Sequence, residues 1–307
     1  MQNKPQRVVL AGGSGFLGTR LAEELTARNY DVVILTRKPR QSSGPVRERP
    51  WDGQTLAEWA TELDGATAVV NLAGRSVNCR YTPENRRDIN ESRVQSTNVI
   101  GAAIARCALP PPVWVQASSL ALYGDAGERL CDESTPPGEG FPVETCLLWE
   151  RAFNDAVTPR TRKVALRIGF ALDAGRGALS TLERLVRCFL GGTVGNGRQY
   201  ISWIHWRDLN AMFLWAIERN DLTGIFNATA PNPVTNAEFM RELRRVLHRP
   251  WTPPAPAPLV HIGSWLMRTE ASLALTGRRC APRRFLASGF PFAFNELRPA
   301  LAEIYSR

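Results

Sequence analysis

An α/β fold built on a doubly wound parallel sheet of the Rossmann type, with a small C-terminal lobe, is the architecture this 307-residue sequence predicts. Three observations lead there. The short apolar strand Val8-Val9-Leu10-Ala11 runs straight into the glycine-rich turn Gly12-Gly13-Ser14-Gly15-Phe16-Leu17-Gly18. Strand-like and helix-like runs then alternate through the first half of the chain, as parallel strands joined by helical crossovers require. After about residue 174 this alternation weakens, which marks a second, smaller unit.

Taken in order, Arg7 to Ala11 is the first strand, and Phe16 to Arg28 follows as a helix on which Leu17, Leu21 and Leu25 recur at helical spacing. Asp31 to Thr36 is the second strand. Ala68 to Leu72, Val113 to Ala117 and Val164 to Ile168 are further apolar runs of strand length, with a helix-length stretch from Glu91 to Ala105. Asp208 to Glu218 reads as a helix leading into a last strand, Gly224 to Ala228. Residues 1–174 and 198–234 are therefore expected to form a dinucleotide-binding domain. Segments 175–197 and 235–307 are expected to form a substrate lobe over the C-terminal edge of the sheet. The proline-rich run Pro250 to Pro258 reads as an extended surface connector.

Composition excludes several classes. Hydrophobic residues make up 44% and charged residues 22%, a balance that predicts a globular rather than a disordered chain. The net charge of +9 would suit an anionic partner. Its basic residues are dispersed, however, with a local excess only at Arg278, Arg279, Arg283 and Arg284, and no recognition helix or RNA platform accompanies them. Nucleic-acid binding is not expected. No run of about eighteen apolar residues occurs, and the first strand begins at Arg7, so a soluble, cytoplasmic protein without membrane attachment is expected. The cysteines Cys79, Cys107, Cys131, Cys146, Cys188 and Cys280 form no CxxC pair, and His205, His248 and His261 form no ligand cluster. Reduced thiols and no metal follow.

The glycine turn is where a pyrophosphate would sit. Gly12 permits the sharp turn, Gly15 lets the backbone approach the phosphates, and Gly18 lets the next helix pack closely with its N-terminus aimed at the anion. The end of the second strand then selects the dinucleotide. An acidic residue there would accept hydrogen bonds from the adenosine ribose, whereas a basic one would pair with a 2′-phosphate. This chain has Thr36-Arg37-Lys38, while Asp31 opens the strand at its wrong end. NADP(H) is therefore the expected cofactor; the other reading of Arg37 and Lys38 is as ordinary surface charges. Asn71-Leu72-Ala73-Gly74 ends a further strand in small residues that let the chain pass close to a ribose.

Together with Ser118-Ser119 and the following Tyr123-Gly124, these segments resemble the extended short-chain dehydrogenase/reductase superfamily. Ser202 to Asp208, Asn227 to Asn236, Leu247 to Pro250 and Gly289-Phe290 narrow the resemblance to its atypical, epimerase-like NADP-binding family with a C-terminal domain of unknown function. That resemblance implies a Rossmann core with bound NADP(H) and a small substrate lobe, and it allows a homodimer. It also sets Trp51-Asp52 beside the adenine, with Asp52 either an acceptor from its amino group or a turn cap.

Hydride-transferring members of the superfamily commonly use a Tyr followed four residues later by a Lys. This chain has Cys146 and Glu150 at those positions. A carboxylate raises a neighbouring thiol's pKa, where an ammonium would lower it. Glu150 is thus expected to accept hydrogen bonds from ribose hydroxyls, and Ser118 to contact the cofactor. Ser119 and Tyr123 stand ahead of Cys146 as candidates for the reacting centre. Gln199, Ser202, Trp203 and His205 have the aromatic and polar mix of a small-molecule pocket. His205 reads as a packed residue rather than a base, and Asp208 as a helix cap. Two functions fit: an NADP(H)-dependent oxidoreductase or epimerase-like enzyme, and a non-catalytic NADP(H)-sensing protein.

Overall fold

A computed structural model describes residues 6–40 and 44–306. The chain runs through β1 (Arg7–Ala11), α1 (Phe16–Ala27), β2 (Asp31–Thr36), β3 (Val46–Pro50), β4 (Ala68–Asn71), α2 (Pro83–Arg106) and β5 (Val113–Ser119). It continues through β6 (Leu130–Cys131), α3 (Phe141–Asp155), β7 (Arg162–Ile168), β8 (Phe170–Leu172), α4 (Leu179–Arg187), β9 (Tyr200–Ile201) and β10 (Trp203–His205). Next come α5 (Trp206–Glu218), β11 (Gly224–Ala228), β12 (Val234–Thr235) and α6 (Asn236–Val246). The last elements are α7 (Ala257–Leu266), α8 (Ser272–Leu275), β13 (Arg279–Cys280), α9 (Arg283–Ala287) and α10 (Leu297–Tyr305).

Seven of the strands form one sheet in the order β3, β2, β1, β4, β5, β7, β11, and every pairing in it is parallel. The winding reverses between β1 and β4, which opens a crevice outside the carboxyl ends of those two strands. Alternation along each strand feeds two cores. Val8 and Leu10 pack with Leu21 and Leu25 of α1 and Phe213 of α5. Val9 and Ala11 face the other way, onto Ile100 and Ile104 of α2, Trp114 of β5 and Phe153 of α3. Burial on both faces explains why these strands read as continuous apolar runs.

Edges and termini are where the sequence reading fell short. β3 is an edge strand, Val46-Arg47-Glu48-Arg49-Pro50, whose arginines pair with Asp31 and Glu62; a charged strand ending in proline carries no apolar signal. α2 begins well before Glu91, at Pro83, because the Thr82 hydroxyl accepts the Asn85 N–H and proline fits the first helical turn. The proline-rich run is extended as far as Ala255, which bridges Val194, and its end is helical, since α7 starts at Ala257.

A third core joins Leu179 and Val186 of α4, Trp203 of β10, Phe239 and Leu243 of α6, and Ala300 and Leu301 of α10. The rest of the C-terminal segment behaves differently. Phe285 of α9 and Phe290 belong to the sheet's own core with Phe226, and Arg284 donates to the carbonyls of Ile225 and Thr223. This stretch covers the β11 edge rather than joining the lobe. Among the described residues no helix is long and apolar enough to cross a membrane, and no group of three or more His, Cys, Asp or Glu could hold a metal ion.

Candidate functional site

The loop after β1 is shaped by what surrounds its glycines. Gly12 has φ +71°, and a Cβ there would lie 2.7 Å from Ala73 Cα, so the loops after β1 and β4 touch. A Cβ at Gly18 would lie 2.3 Å from the Gly13 carbonyl oxygen, so α1 rests directly on the loop. Gly15 is the opposite case: the nearest protein atom to its Cβ position is 3.8 Å away. α1 starts at this residue with no side-chain cap, leaving the first amides, of Phe16, Leu17 and Gly18, without carbonyl partners inside the helix. Asn71 sets the neighbouring turn. Its Oδ1 accepts the Ala73 N–H at 3.0 Å, and its Nδ2 donates to Gln116 Oε1 at 3.1 Å.

These loops wall a cavity of about 540 Å³ together with the ends of β2 and β3 and one face of α2. Gly12, Ser14, Gly15, Thr36, Arg37, Asp52, Leu72, Ala73 and Gly74 line it, as does Trp51. Thr36 Oγ1 donates to Ser14 Oγ at 3.0 Å. Arg37 and Lys38 are exposed, and neither forms an ion pair among the described residues. Asp52 Oδ1 accepts the N–H groups of Gln54 and Thr55, each at 2.8 Å, and these bonds hold its carboxyl below the usual range. It caps a turn and still lines the cavity. Gly13, Phe16, Leu17, Gly18 and Asn71 build the frame behind this wall. An uncapped helix start, an open approach at Gly15 and an unpaired Arg37 suit a phosphorylated dinucleotide.

Behind the sheet edge lies a closed polar network. Ser118 Oγ donates to Glu150 Oε1 at 2.6 Å, and Arg167 grips the same carboxylate through Nε and Nη2, both at 2.8 Å. Arg167 Nη1 donates to the Tyr123 hydroxyl at 2.9 Å, and that hydroxyl offers its proton to Asn227 Oδ1 at 2.9 Å or the Asp132 carbonyl at 2.8 Å. Burial works against the Arg167 charge, but its bonds to Glu150 outweigh this and hold it above its ordinary value.

Three expectations are corrected here. Glu150 is buried and occupied by Arg167 and Ser118, so its carboxylate does not face a ribose. Ser118 points into the same network. Tyr123 is 1% exposed, its hydroxyl is engaged inside the network, and it lines neither cavity, which keeps it from a reacting centre; burial pushes its pKa up to about 12. Cys146 is also buried. Its Sγ lies 3.8 Å from the Ser119 carbonyl, and burial, then the Glu150 charge, push the thiol up to about 12. Sequence reasoning missed Arg167, although a lone arginine inside Val164-Ala165-Leu166-Arg167-Ile168 was a visible signal.

A second cavity, of about 520 Å³, opens between the turn after β5, the start of α3, the β7–β8 corner and the α8 segment. Ser119 and Ser202 line it, with Tyr81, Arg86, Phe141, Tyr200, Glu270 and Arg278. The Ser119 hydroxyl accepts the Ala121 N–H at 3.1 Å. Ser202 Oγ donates to the Arg278 carbonyl and accepts the Cys280 N–H, both at 2.8 Å.

The other expected pocket residues sit elsewhere. Gln199 ties the carbonyls of Val194 and Ala274. Trp203 is fully buried in the third core, its Nε1 donating to Asn232. His205 is buried too, stacked on Phe294 at 3.9 Å with Nε2 3.0 Å from Glu303. Burial and nearby Arg207 hold it down to about 3, so it is a neutral imidazole that donates from Nε2 and caps α5 by accepting the Arg207 N–H at Nδ1. Asp208 is therefore not the cap: its carboxylate, raised by burial, accepts the Ala293 and Phe294 N–H groups.

One stretch of chain borders both cavities. Leu72 to Ser76 line the first and Tyr81 the second. In between, Asn78 accepts from Thr269 Oγ1 at 2.7 Å, Arg80 donates to the Trp265 carbonyl at 2.8 Å, and the Tyr81 N–H meets Glu270.

Comparison with known proteins agrees with this geometry. Residues 8–228 match the NAD dependent epimerase/dehydratase family, and residues 255–304 match a domain of unknown function, DUF1731. The epimerase family protein SDR39U1 of Bos taurus is 36% identical over 97% of this chain and 99% of its own. The epimerase family protein YfhF of Bacillus subtilis is 32% identical over 97% of both chains. The crystal structure of human epimerase family protein SDR39U1 (isoform 2) with NADPH superposes with a TM-score of 0.87 at 33% identity, covering 98% of this chain and 99% of that one.

Proposed function

This chain belongs to the NAD dependent epimerase/dehydratase family, and from that premise we propose an NADP(H)-dependent oxidoreductase or epimerase-like enzyme acting on a small molecule in the second cavity. NADP(H) is the cofactor. The observation that carries this reading is the first cavity, where the glycine loop, the α1 amides and Arg37 converge at the switch point of the sheet. Gly12 to Gly15 and the helix start would hold the pyrophosphate, Arg37 and Lys38 the 2′-phosphate, Asp52 the adenine side and Leu72 to Gly74 a ribose. When bound, the cofactor supplies or takes up a hydride.

The chain's own residues favour one direction of chemistry. Ser119 presents a hydroxyl to the second cavity, and Tyr81 a phenol that burial pushes up to about 12. Both are neutral at physiological pH, and both donate. His205 is locked in the core and the Cys146 thiol is protonated, so neither serves the cavity as a base. Such a site suits proton donation to a carbonyl oxygen better than proton removal from an alcohol.

A second reading, a non-catalytic NADP(H)-sensing protein, is favoured by the Glu150–Arg167 pair, which closes the position of the superfamily's Tyr-Lys couple. Calorimetry with NADPH and NADH, followed by carbonyl and sugar-nucleotide panels with absorbance of NADPH monitored, separates the readings. Turnover of a carbonyl compound supports the enzyme. Tight NADPH binding with no turnover across the panels supports the sensor, and equal affinity for both dinucleotides overturns the cofactor assignment.

A further inference from the structure

The second cavity contains a charge without a partner among the described residues. Arg278 lines it half-buried, and among the described residues its guanidinium forms no ion pair and no hydrogen bond. Arg93, from α2, is a second arginine without a carboxylate partner among the described residues. Its guanidinium lies 3.1 Å from where a Cβ on Gly74 would be and stacks over Trp149 at 5.0 Å. Only carbonyls receive it: Nη1 donates to Arg75 and Ile89, both at 3.0 Å, and no carboxylate among the described residues pairs with it. Arg93 lies in the wall of neither cavity, so the unanswered charge of the second cavity is that of Arg278.

Carboxylates are present in the wall, yet none forms an ion pair with Arg278 among the described residues. Asp125 accepts the Gly277 N–H at 3.1 Å, Glu270 accepts that of Tyr81, and Glu139 is exposed. Arg86 is occupied too, donating to the Tyr81 carbonyl at 3.0 Å while lying over Phe141. A half-buried guanidinium costs desolvation energy that an internal carboxylate would offset. Here that offset is absent on Arg278, which shares the wall with a hydroxyl and a phenol that donate to oxygen.

We propose that Arg278 forms an oxyanion subsite in the second cavity, so that the substrate is a small carbonyl compound bearing a carboxylate or a phosphate. This rests on the reading of that cavity as the substrate site. Arg278 takes the anionic group by charge-assisted hydrogen bonds.

The test uses the full chain saturated with NADPH and titrated calorimetrically with pyruvate, its neutral amide and inorganic phosphate. Pyruvate or phosphate should bind, and the amide should bind about tenfold more weakly than pyruvate or worse. Arg278→Ala and Arg278→Gln should each weaken the anion by about tenfold or more, with NADPH affinity unchanged, and Arg278→Lys should recover part of the loss. Binding of pyruvate alone assigns the subsite to carboxylates, and binding of phosphate alone to phosphorylated compounds. Neither anion binding, equal binding of pyruvate and the amide, or anion binding indifferent to both Arg278 variants overturns the proposal. NADPH affinity, measured on the same samples, reports separately on the underlying reading.

Discussion

The glycine-loop cavity and the Ser118–Glu150–Arg167–Tyr123 network lie at the same edge of one sheet and treat polar groups in opposite ways. Around the cavity, the first helix amides and Arg37 have no partner among the described residues, and a Cβ at Gly15 would come no nearer than 3.8 Å to a protein atom. In the network every charge is matched: a bidentate ion pair, a serine and a tyrosine satisfy one another out of water. The lesson concerns inference from position. Where the superfamily keeps a proton-transfer couple, this chain keeps a structural pair, and the unmatched groups rather than the aligned ones mark where a ligand fits.

The largest effect expected is on the matched side. Glu150→Ala should leave Arg167 buried without its counter-charge and lower unfolding free energy by about 3–5 kcal/mol. Much of this should return in a Glu150→Ala/Arg167→Met double variant, with both read by urea denaturation. Full stability of Glu150→Ala combined with weaker NADPH binding would break the comparison, because the carboxylate would then be a cofactor ligand. On the unmatched side, Gly15→Val should weaken NADPH about a hundredfold or more, since its side chain fills the phosphate approach. Its thermal midpoint should stay close to the parent's, as circular dichroism would show.

A smaller change is expected from Arg37→Ala, which should reduce the preference for NADPH over NADH by about ten- to a hundredfold. A parent-like preference, measured by calorimetry, would return Arg37 to the surface charges. The smallest effect extends the comparison through pH to a second buried polar group outside the network. His205 is depressed to about 3 in the fold, against about 6.5 unfolded. Its contribution is complete above the unfolded value and falls as pH drops toward the folded one, because only the unfolded chain takes up the proton. Moving from pH 7 to pH 5 should therefore cost about 1–2 kcal/mol from this group. Urea titrations at both pH values should show a smaller difference in His205→Gln.

How much of this was legible in the sequence follows the range of the interactions. The glycine loop, Thr36 to Lys38 and Asn71 to Gly74 act through local backbone geometry, and β1, β2 and β4 stand out as apolar strands, so their side of the site could be read residue by residue. Tyr123, Glu150 and His205 could not. Their roles are decided by Asn227, Arg167 and Glu303, partners far along the chain that periodicity does not connect. β3 escaped because an edge strand is charged. Tyr81 and Arg278 escaped because each lies in a loop, at the second cavity, without a motif.

The stretch from Leu72 to Tyr81 has a thermodynamic consequence. It walls the first cavity at one end, and its other end is pinned to Trp265, Thr269 and Glu270 in the segment that carries α8 over the second. A ligand that shifts or stiffens one end changes the work of arranging the other. Occupancy of the two cavities is then linked, and the linkage is reciprocal: whatever factor the dinucleotide contributes to affinity in the second cavity, a ligand there returns to the dinucleotide. Titrating NADPH with and without that ligand would read the factor directly, and a ratio of one would mean that the strand joins the cavities without coupling them.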